Sequence, residues 1–562
     1  MGLIRGTTRH LPLAFAVVLL TALSYWVFPG HTYLQQDNQI YAAILEHLYD
    51  PSVLAADPVA TRHHVTFTVY DELALAVRRL TGWEFQPLLV ADQLLHRALG
   101  ILGVYLMATA LGLSRALSLL VAAAYTLGAT VGGPAVLTVE YEPKPRSSAL
   151  PMTLLAVGLI AHRRYVAGGF AASLAFLYHP PTVYPFWLVY FVVELWPSRP
   201  EEMKRRIEGI LPLAGALVVL MIAARLQPGL PEPDPFFGTV DAELEQLQKW
   251  RAPYAWVSLW MGERLGHFLI LWGIALAAFL RLRPVMPLTL RFFAVGLPLV
   301  GLLSLPVSYL LLDRWKWALA TKAQPARALL FVTLMAVILP MAAGLRAGAA
   351  RRFGEAFAWC TLAFLPPLTS NVVAWLGPGL ADPTALRRLA LAGALAALAA
   401  GAALLAERRH RLSRFVWATA LVAPFFLIPS VGRIVNYPQI ETPELDELIA
   451  WARANTPKEA VFAFPGAGRS LQPGVFRAKA LRAVYVDWKG GGQINMVKGF
   501  AEEWRKRWQE VMEAPFEEAR LADWATRGID YIVVAPSRRL AARPAEFENA
   551  AFVVYCLRKP SG

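Results

Sequence analysis

The chain has little charge and almost no cysteine. Charged residues make up 17% of its 562 positions and hydrophobic residues 56%, and the mean hydropathy is +0.44. This balance is too apolar for a soluble protein of this length and indicates insertion into a membrane. The only two cysteines are Cys360 and Cys556, which excludes a disulfide framework and a cysteine-based metal site.

The net charge of +14 does not indicate a nucleic-acid partner. Most lysines and arginines stand in short clusters between apolar segments, where cytoplasmic loops of membrane proteins collect them. The expected partner is therefore membrane lipid, with no nucleic acid.

Apolar segments long enough to cross a bilayer recur from Leu11 to about Val431. The first lacks a small-residue cleavage site after it, so we interpret it as a retained helix and not as a signal peptide. About thirteen spans are predicted: 11–28, 88–112, 114–132, 148–162, 165–178, 181–196, 209–226, 264–280, 292–312, 328–345, 356–376, 388–406 and 415–432.

One topology accounts for the basic clusters. With the N-terminus in the cytoplasm, five successive clusters fall on the cytoplasmic side, and an odd number of spans leaves the C-terminus outside. The sequence thus predicts a multi-pass protein of the cytoplasmic (inner) membrane, with a membrane domain at 1–433 and a soluble extracytoplasmic domain at 434–562. Its longer outer loops are 29–87, 133–147, 227–263 and 313–327.

The predicted terminal domain alternates helices and strands. Thr442 is a candidate N-cap for a helix over 443–454, and buried strands are expected at 460–464, 483–486 and 531–534. Helical segments around 500–511 and 516–527 complete a small α/β layer domain. The fold class is therefore mainly α, a transmembrane helical bundle followed by a small α/β domain.

The first outer loop contains the carboxylate Asp37 just after the first span. Ile40, Ala43, Ile44 and Leu48 follow it at helical spacing and predict a short helix on the membrane surface. A carboxylate near the headgroups can act as a general base toward a hydroxyl, although a solvated loop residue or a helix cap is the alternative. Asp57, farther along this loop, is a secondary candidate for substrate binding.

The second outer loop packs four charged side chains, Glu140, Glu142, Lys144 and Arg146, into a stretch that two prolines stiffen. Its basic pair could hold a phosphate while a carboxylate orients an acceptor or a divalent cation. Salt bridges that only order the loop are the alternative.

Other candidates lie at helix ends and in the last outer loop. His179 stands before two prolines that interrupt a helix, on the predicted side of Asp37. The last outer loop is basic although it faces outward, and anionic lipid phosphate is the simplest explanation for Arg314, Lys316, Lys322 and Arg327. Simple interfacial anchoring accounts equally well for the tryptophans beside them.

A glycine-rich turn in the terminal domain, Lys489-Gly-Gly-Gly492, follows a predicted strand. Exposed amides there could bind an anion, but the turn has neither Walker spacing nor a dinucleotide fingerprint. The tryptophans at 488, 504, 508 and 524 are available for stacking on a sugar, with core packing as the alternative.

These features together resemble the polytopic GT-C glycosyltransferases, such as protein mannosyltransferases, aminoarabinose transferases and bacterial oligosaccharyltransferases. The similarity lies in the long first outer loop with its aspartate, the acidic second loop, the many spans and the outer terminal domain. His-Pro at 179–180, Gln-Pro-Ala-Arg at 324–327 and the Val-Asp-Trp-Lys strand are similar to a bacterial branch of that superfamily.

The resemblance implies inverting transfer of a sugar from a polyprenyl-phosphate donor to an acceptor at the outer membrane face. Asp37 would be the catalytic base, Glu140 or Glu142 the second acidic residue, and Arg327, with Lys322, the ligands of the lipid phosphate. Gln-Asp-Asn replaces the family's acidic pair in the first loop, so no cofactor is certain and a divalent cation remains open. A transporter, for which Asp92 and His96 in the second span would matter, and a noncatalytic assembly protein are the alternatives.

Overall fold

The computed structural model describes residues 2–61, 68–197, 199–226, 238–364, 434–495, 498–541 and 543–558, and the single positions 367, 394, 401, 427 and 430. Between residues 2 and 364 the described chain is mainly helical. Its helices are α1 Gly2–Trp26, α2 Asn38–Tyr49, α3 Tyr70–Thr81, α4 Phe85–Ala110, α5 Arg115–Thr126, α6 Pro145–Ala161, α7 Tyr165–Tyr178, α8 Pro180–Leu195, α9 Pro200–Glu208, α10 Leu211–Leu226, α11 Ala242–Arg251, α12 Met261–Leu282, α13 Leu288–Ser308, α14 Ala318–Ala323, α15 Leu330–Ala349 and α16 Phe353–Phe364.

The described part of the chain has a helix in every span predicted for it. Five helical stretches are long and apolar enough to cross a membrane: Phe85–Ala110, Pro200–Leu226, Met261–Val285, Leu288–Arg314 and Ala318–Ala349. The protein is a multi-pass membrane protein, as its composition predicts. The predicted spans 388–406 and 415–432, and the end of 356–376, lie outside the described residues.

One predicted span is too long. The helix expected over 114–132 ends at Thr126, and a hairpin of strands β1 Thr130–Val131 and β2 Val136–Leu137 follows. Gly133 has a φ of +94° in the turn, and a Cβ there would lie 2.4 Å from the Trp260 ring. The apolar pattern continued past the helix because the hairpin is packed as well.

Helices α4 and α6 pack at backbone contact and fix the second loop between α5 and α6. A Cβ on Gly103 would lie 2.4 Å from the Leu155 nitrogen, and one on Gly158 would lie 2.5 Å from the Gly103 oxygen. Small residues permit this close approach of two apolar helices. The close packing of these helices therefore fixes the C-terminal end of the loop at 133–147, where α6 begins.

The terminal region contains the predicted α/β layers. Its helices are α17 Pro443–Asn455, α18 Gln472–Ala480, α19 Lys498–Trp508 and α20 Leu521–Thr526, and its strands are β3 Val461–Ala463, β4 Ala483–Val484, β5 Tyr531–Val534, β6 Phe547–Glu548 and β7 Val553–Cys556. The strand order is β4-β3-β5-β7-β6, in which β3 runs parallel to β4 and β5. Strand β7 pairs antiparallel with β5 and β6.

The start of this domain agrees with its sequence signals. The Thr442 hydroxyl accepts a hydrogen bond from the Leu445 amide at 3.2 Å and caps α17. The apolar face of the helix, with Leu445 and Leu448, is buried in the core. The sequence did not predict the antiparallel strands β6 and β7 or the helix α18.

The first loop packs into the terminal domain and not along a membrane surface, which corrects the prediction for α2. Ile40 and Ile44 are buried in a core shared with Val461 and Trp504, while Leu45 on the same helix enters the core of the bundle. An amphipathic helix fits a protein core as well as an interface, and the distant partner could not be identified from local spacing.

A buried ionic junction joins the first loop to this domain. The Arg477 Nε lies 2.7 Å from Asp57, and a second Arg477 nitrogen pairs with Asp487. All three side chains are at most 1% exposed. Asp57 also accepts hydrogen bonds from the amides of Val59 at 2.8 Å and Val484 at 2.9 Å.

Replacing Arg477 by methionine should destabilise the junction, because it leaves two buried carboxylates without their cation. The expected cost is about 3–5 kcal/mol. Thermal unfolding of the purified protein in detergent measures it, with Arg539→Ala as the control at a surface ion pair in which Arg539 is 59% exposed. Equal unfolding midpoints for the two variants would contradict this account.

Candidate functional site

Asp37 lies at the entrance of α2, where charges from three parts of the chain meet. Its carboxylate is 2.6 Å from the Lys489 ammonium, 3.5 Å from Arg146 and 3.8 Å from Lys144. The Asp37 side chain is 30% exposed, whereas Lys144 is 1% exposed. The cluster therefore opens to solvent on the Asp37 side.

Lys144 forms the centre of the second-loop cluster. Its ammonium lies 3.0 Å from Glu140 and 3.7 Å from Glu142, and Arg146 Nε donates to Glu140 at 2.5 Å. Glu142 in turn accepts hydrogen bonds from the amides of Gln36 and Asn38 at 2.8 and 3.2 Å. The two loops therefore hold one another, and Asp37 lies between the two amides that Glu142 binds.

Helix α4 positions the second loop through polar side chains in its first half. Gln93 and Arg97 both donate to the Glu140 carbonyl, at 2.9 and 2.7 Å. At the other end of the loop, the Ser147 hydroxyl donates to the Lys144 carbonyl at 2.7 Å. These bonds satisfy buried backbone groups and fix the carboxylates.

Burial and charge act in opposite directions on these carboxyl groups. Burial would raise the pKa of Asp37, but Lys489, Lys144 and Arg146 hold it well below the usual range. Burial likewise opposes the effect of Arg146 and Lys144 on Glu140, whose pKa is lowered overall. For Glu142 burial prevails, and its pKa is raised.

His179 and Arg327 lie beside this cluster. Burial and the nearby guanidinium groups of Arg327 and Arg146 hold the pKa of His179 well below its usual value, so its imidazole is neutral at physiological pH. Its Nδ1 is 2.8 Å from the Thr182 hydroxyl. The charge of Arg327 acts on Arg146 and Asp37, and its buried Nε has no hydrogen-bond partner among the described residues.

The loop at 313–327 packs against the preceding loop, 227–263, through residues 238 and 240. The Val240 amide donates to the Lys316 carbonyl at 2.7 Å, and the Ala318 amide donates to the Gly238 carbonyl at 2.9 Å. The Thr321 hydroxyl donates to the Asn495 carbonyl at 3.0 Å. Loop 313–327 is thereby tied to the terminal domain.

Two predicted substrate ligands, Asp57 and Lys322, have different surroundings. Asp57 is fully committed to the junction with Arg477 and to backbone amides, so its contacts do not support a role in binding substrate. Lys322 is half-buried at the end of α14, and its role as a phosphate ligand stays a prediction.

The structure describes no group of three or more histidine, cysteine or acidic side chains arranged to hold a metal. Within the cluster, the Lys144 ammonium lies 3.0 to 3.8 Å from Asp37, Glu140 and Glu142. A divalent cation bound by the same carboxylates would occupy this position. The lysine therefore supplies the positive charge there.

The glycine-rich turn contributes a side chain and not its amides, which corrects the anion-binding prediction. The Gly490 amide donates to the Asp487 carboxylate at 3.0 Å, and the Gly492 amide donates to the Lys489 carbonyl at 2.8 Å. Arg251 binds the Trp488 carbonyl at 2.5 and 2.9 Å. Sequence reasoning missed Lys489 and Arg251, although the turn itself was a signal.

The tryptophans of the terminal domain serve mainly as core. Trp504, Trp508 and Trp524 are buried. Trp488 is half-buried, with Arg251 and Arg469 at 4.2 and 4.7 Å from its ring centre. These cations occupy the ring on which a sugar would have to stack.

The charged residues within the second span are paired. Asp92 accepts hydrogen bonds from Ser148 at 2.8 Å and Tyr178 at 3.2 Å, and His96 lies 3.3 Å from the same carboxylate. These contacts join α4, α6 and α7. They give Asp92 and His96 a structural role between the helices.

A family model described as a domain of unknown function (DUF6798) matches residues 443–511, within the terminal domain. No curated protein matches the chain by sequence. Among solved structures, ArnT from Cupriavidus metallidurans bound to undecaprenyl phosphate is similar over 98% of this chain and 99% of ArnT, with 15% identity and a TM-score of 0.49. Apo ArnT gives 13% identity and 0.47 over 98% of each chain.

The arabinofuranosyltransferase AftD from Mycobacteria is also similar, with 16% identity and a TM-score of 0.42 over 98% of this chain and 41% of AftD.

Replacing Lys144 by methionine should raise the pKa of Asp37 and Glu140, because the ammonium lowers both. Infrared titration of the carboxyl groups should then show carboxylic acid in the variant at a pH where the wild-type groups are ionised. Lys249→Met is the control, since Lys249 pairs with Glu245 outside the cluster. Identical titrations of Lys144→Met and the wild type would contradict the arrangement.

Proposed function

We propose that this protein is a membrane glycosyltransferase that moves a sugar from a polyprenyl-phosphate donor to an acceptor hydroxyl, with inversion at the sugar. The observation that carries the proposal is the cluster itself, in which a partly exposed carboxylate, Asp37, lies beside several fixed cations. A base for the acceptor and positive charge for a departing phosphate are the two requirements of this reaction.

Asp37 is the proposed general base. It is the most exposed of the three carboxylates, at 30% against 3% for Glu140 and 0% for Glu142, so an acceptor hydroxyl can approach it. Glu140 and Glu142 are the proposed positioning residues, because they fix Lys144, Arg146 and the backbone on either side of Asp37.

Arg327 is the proposed ligand of the donor phosphate, and Arg146 and Lys144 are proposed to supply further positive charge. The buried Nε of Arg327 without a partner among the described residues is a group that an anionic ligand would satisfy. His179, neutral and within reach of the Arg327 charge, is a candidate hydrogen-bond donor to the same phosphate.

The reaction is proposed to occur at the outer face of the cytoplasmic membrane. The distribution of basic clusters along the sequence supports an outer position for loops 29–87, 133–147 and 313–327 and for the terminal domain. All of them contribute to the cluster or to its support, as the topology requires. Labelling of Lys498, an exposed lysine of the terminal domain, by an impermeant reagent on intact cells tests the orientation.

Asp37→Asn should lower the rate of sugar transfer by about 10²–10⁴-fold, the usual contribution of a general base. Purified protein reconstituted with labelled undecaprenyl-linked sugars provides the assay, because undecaprenyl phosphate is the lipid bound in the ArnT structure. Asp50→Asn is the matched control, an exposed aspartate of the same loop that bonds only locally with Ser52. Undiminished transfer by Asp37→Asn would remove Asp37 as the base.

Arg327→Met should raise the KM for the donor and lower kcat, since the phosphate carries charge in the ground state and gains more as it departs. Arg539→Met, at a 59% exposed position of the terminal domain outside the cluster, should behave as the wild type. Steady-state kinetics at varied donor concentration separates the effect on KM from the effect on kcat. If both variants kept the wild-type kinetics, the phosphate would have to bind elsewhere.

A further inference from the structure

Lys489 is a cation that the terminal domain delivers into the cluster of the membrane domain. Its side chain is 14% exposed, and its ammonium lies 2.6 Å from Asp37. The backbone on both sides is fixed, because Asp487 binds the Gly490 amide at 3.0 Å and Arg251 holds the Trp488 carbonyl. The fixed backbone therefore positions Lys489 beside Asp37, unlike a mobile side chain at the surface.

The cations around Asp37 differ in how strongly they are held. Lys144 contacts three carboxylates and is 1% exposed, and Arg146 contacts two and is 10% exposed. The described ion pairs of Lys489 consist of the one with Asp37, at the open side of the cluster. Lys489 is thus the cation that an incoming anion can take over with the smallest rearrangement.

Three carboxylates, Asp37, Glu140 and Glu142, face three cations, Lys144, Arg146 and Lys489. Arg327 adds a further positive charge at this place. The cluster as a whole therefore favours one more anion near Arg327 and Asp37. A phosphate with its oxygens exposed to several donors meets this requirement.

We propose that Lys489 is a phosphate ligand of this site. When the lipid-linked donor binds, the Lys489 ammonium leaves Asp37 and binds the donor phosphate. Asp37 is then released to act as a base. The proposal rests on the proposed function and deepens it. It makes the terminal domain a part of the reaction site and gives donor binding a direct effect on the acceptor's base.

The exchange fits the balance of the reaction. The bond between the sugar carbon and the phosphate oxygen breaks, the acceptor oxygen bonds to that carbon, and the acceptor proton passes to Asp37. The phosphate departs as an anion that Lys489 and Arg327 hold. While Lys489 remains on Asp37, the low pKa of that carboxyl makes it a weak base.

The charged and titratable groups that face Asp37 are Lys489, Lys144, Arg146, Glu142, Tyr41, Tyr141, His179, Arg251 and Arg327. Removal of Lys489 leaves Arg146 at 3.5 Å and Lys144 at 3.8 Å. The pKa of Asp37 should rise as a result. The acidic limb of the pH profile of kcat/KM for the donor, which reports the free enzyme, should then move to higher pH in Lys489→Met.

Binding of undecaprenyl phosphate to the purified full chain in detergent tests the proposal directly, with radiolabelled lipid as the readout. Lys489→Met should bind at least tenfold more weakly, and Lys489→Arg should recover part of the loss. Lys498→Met is the matched control, because Lys498 also joins the terminal domain to an aspartate of another loop, Asp241, at 2.6 Å but at a 54% exposed position. Equal thermal unfolding of the variants confirms that they are folded.

Inorganic phosphate and phosphatidylglycerol vesicles distinguish the sources of the anion. Loss of undecaprenyl phosphate binding with phosphatidylglycerol binding unchanged supports the assignment, and competition by inorganic phosphate identifies the phosphate group as what Lys489 recognises. Wild-type affinity in Lys489→Met, or a loss confined to phosphatidylglycerol, overturns it.

Two outcomes separate this inference from the proposed function. If the wild-type protein transfers sugar and Lys489→Met binds the donor with normal affinity, only the inference about Lys489 is refuted. Lys489-dependent lipid binding without any transfer refutes the proposed function and leaves the phosphate site.

Discussion

The ion pair between Arg477 and Asp57 is the constraint on which the rest of the site depends. Both groups are fully buried, and buried charges are tolerated only while they remain paired and hydrogen-bonded. The pair holds the first loop against β4 of the terminal domain, and Asp487 on the same arginine begins the turn that presents Lys489. The position of the terminal domain and the charge beside Asp37 thus both depend on this contact.

This construction explains why so many charges are buried in a protein with few of them. Glu140, Glu142 and Lys144 are all nearly inaccessible, which is costly unless each is compensated. Backbone amides of the first loop, side chains of α4 and the neighbouring loop residues supply that compensation. Such an arrangement fixes groups in place before a substrate binds, a property that electrostatic catalysis requires.

Much of the fold follows from local signals. Apolar length predicted the helices of the membrane domain, and the cap at Thr442 with its spaced leucines predicted α17 to within a residue. The second loop was predicted as a charged unit because its four residues are adjacent in sequence. The errors came where one local pattern fits two environments, as for α2, whose apolar face packs on the terminal domain, and for the hairpin after α5.

The sequence by itself determined that the chain enters a membrane and ends in an α/β domain, and that Asp37 and the acidic loop are chemically interesting, since these depend on composition, periodicity and adjacency. Only the tertiary structure decided that Asp57 belongs to a junction and that Lys489, 452 residues from Asp37, contacts it. The physical reason is that ion pairing depends on distance in space. A lysine after a strand carries no local mark of the carboxylate it will meet.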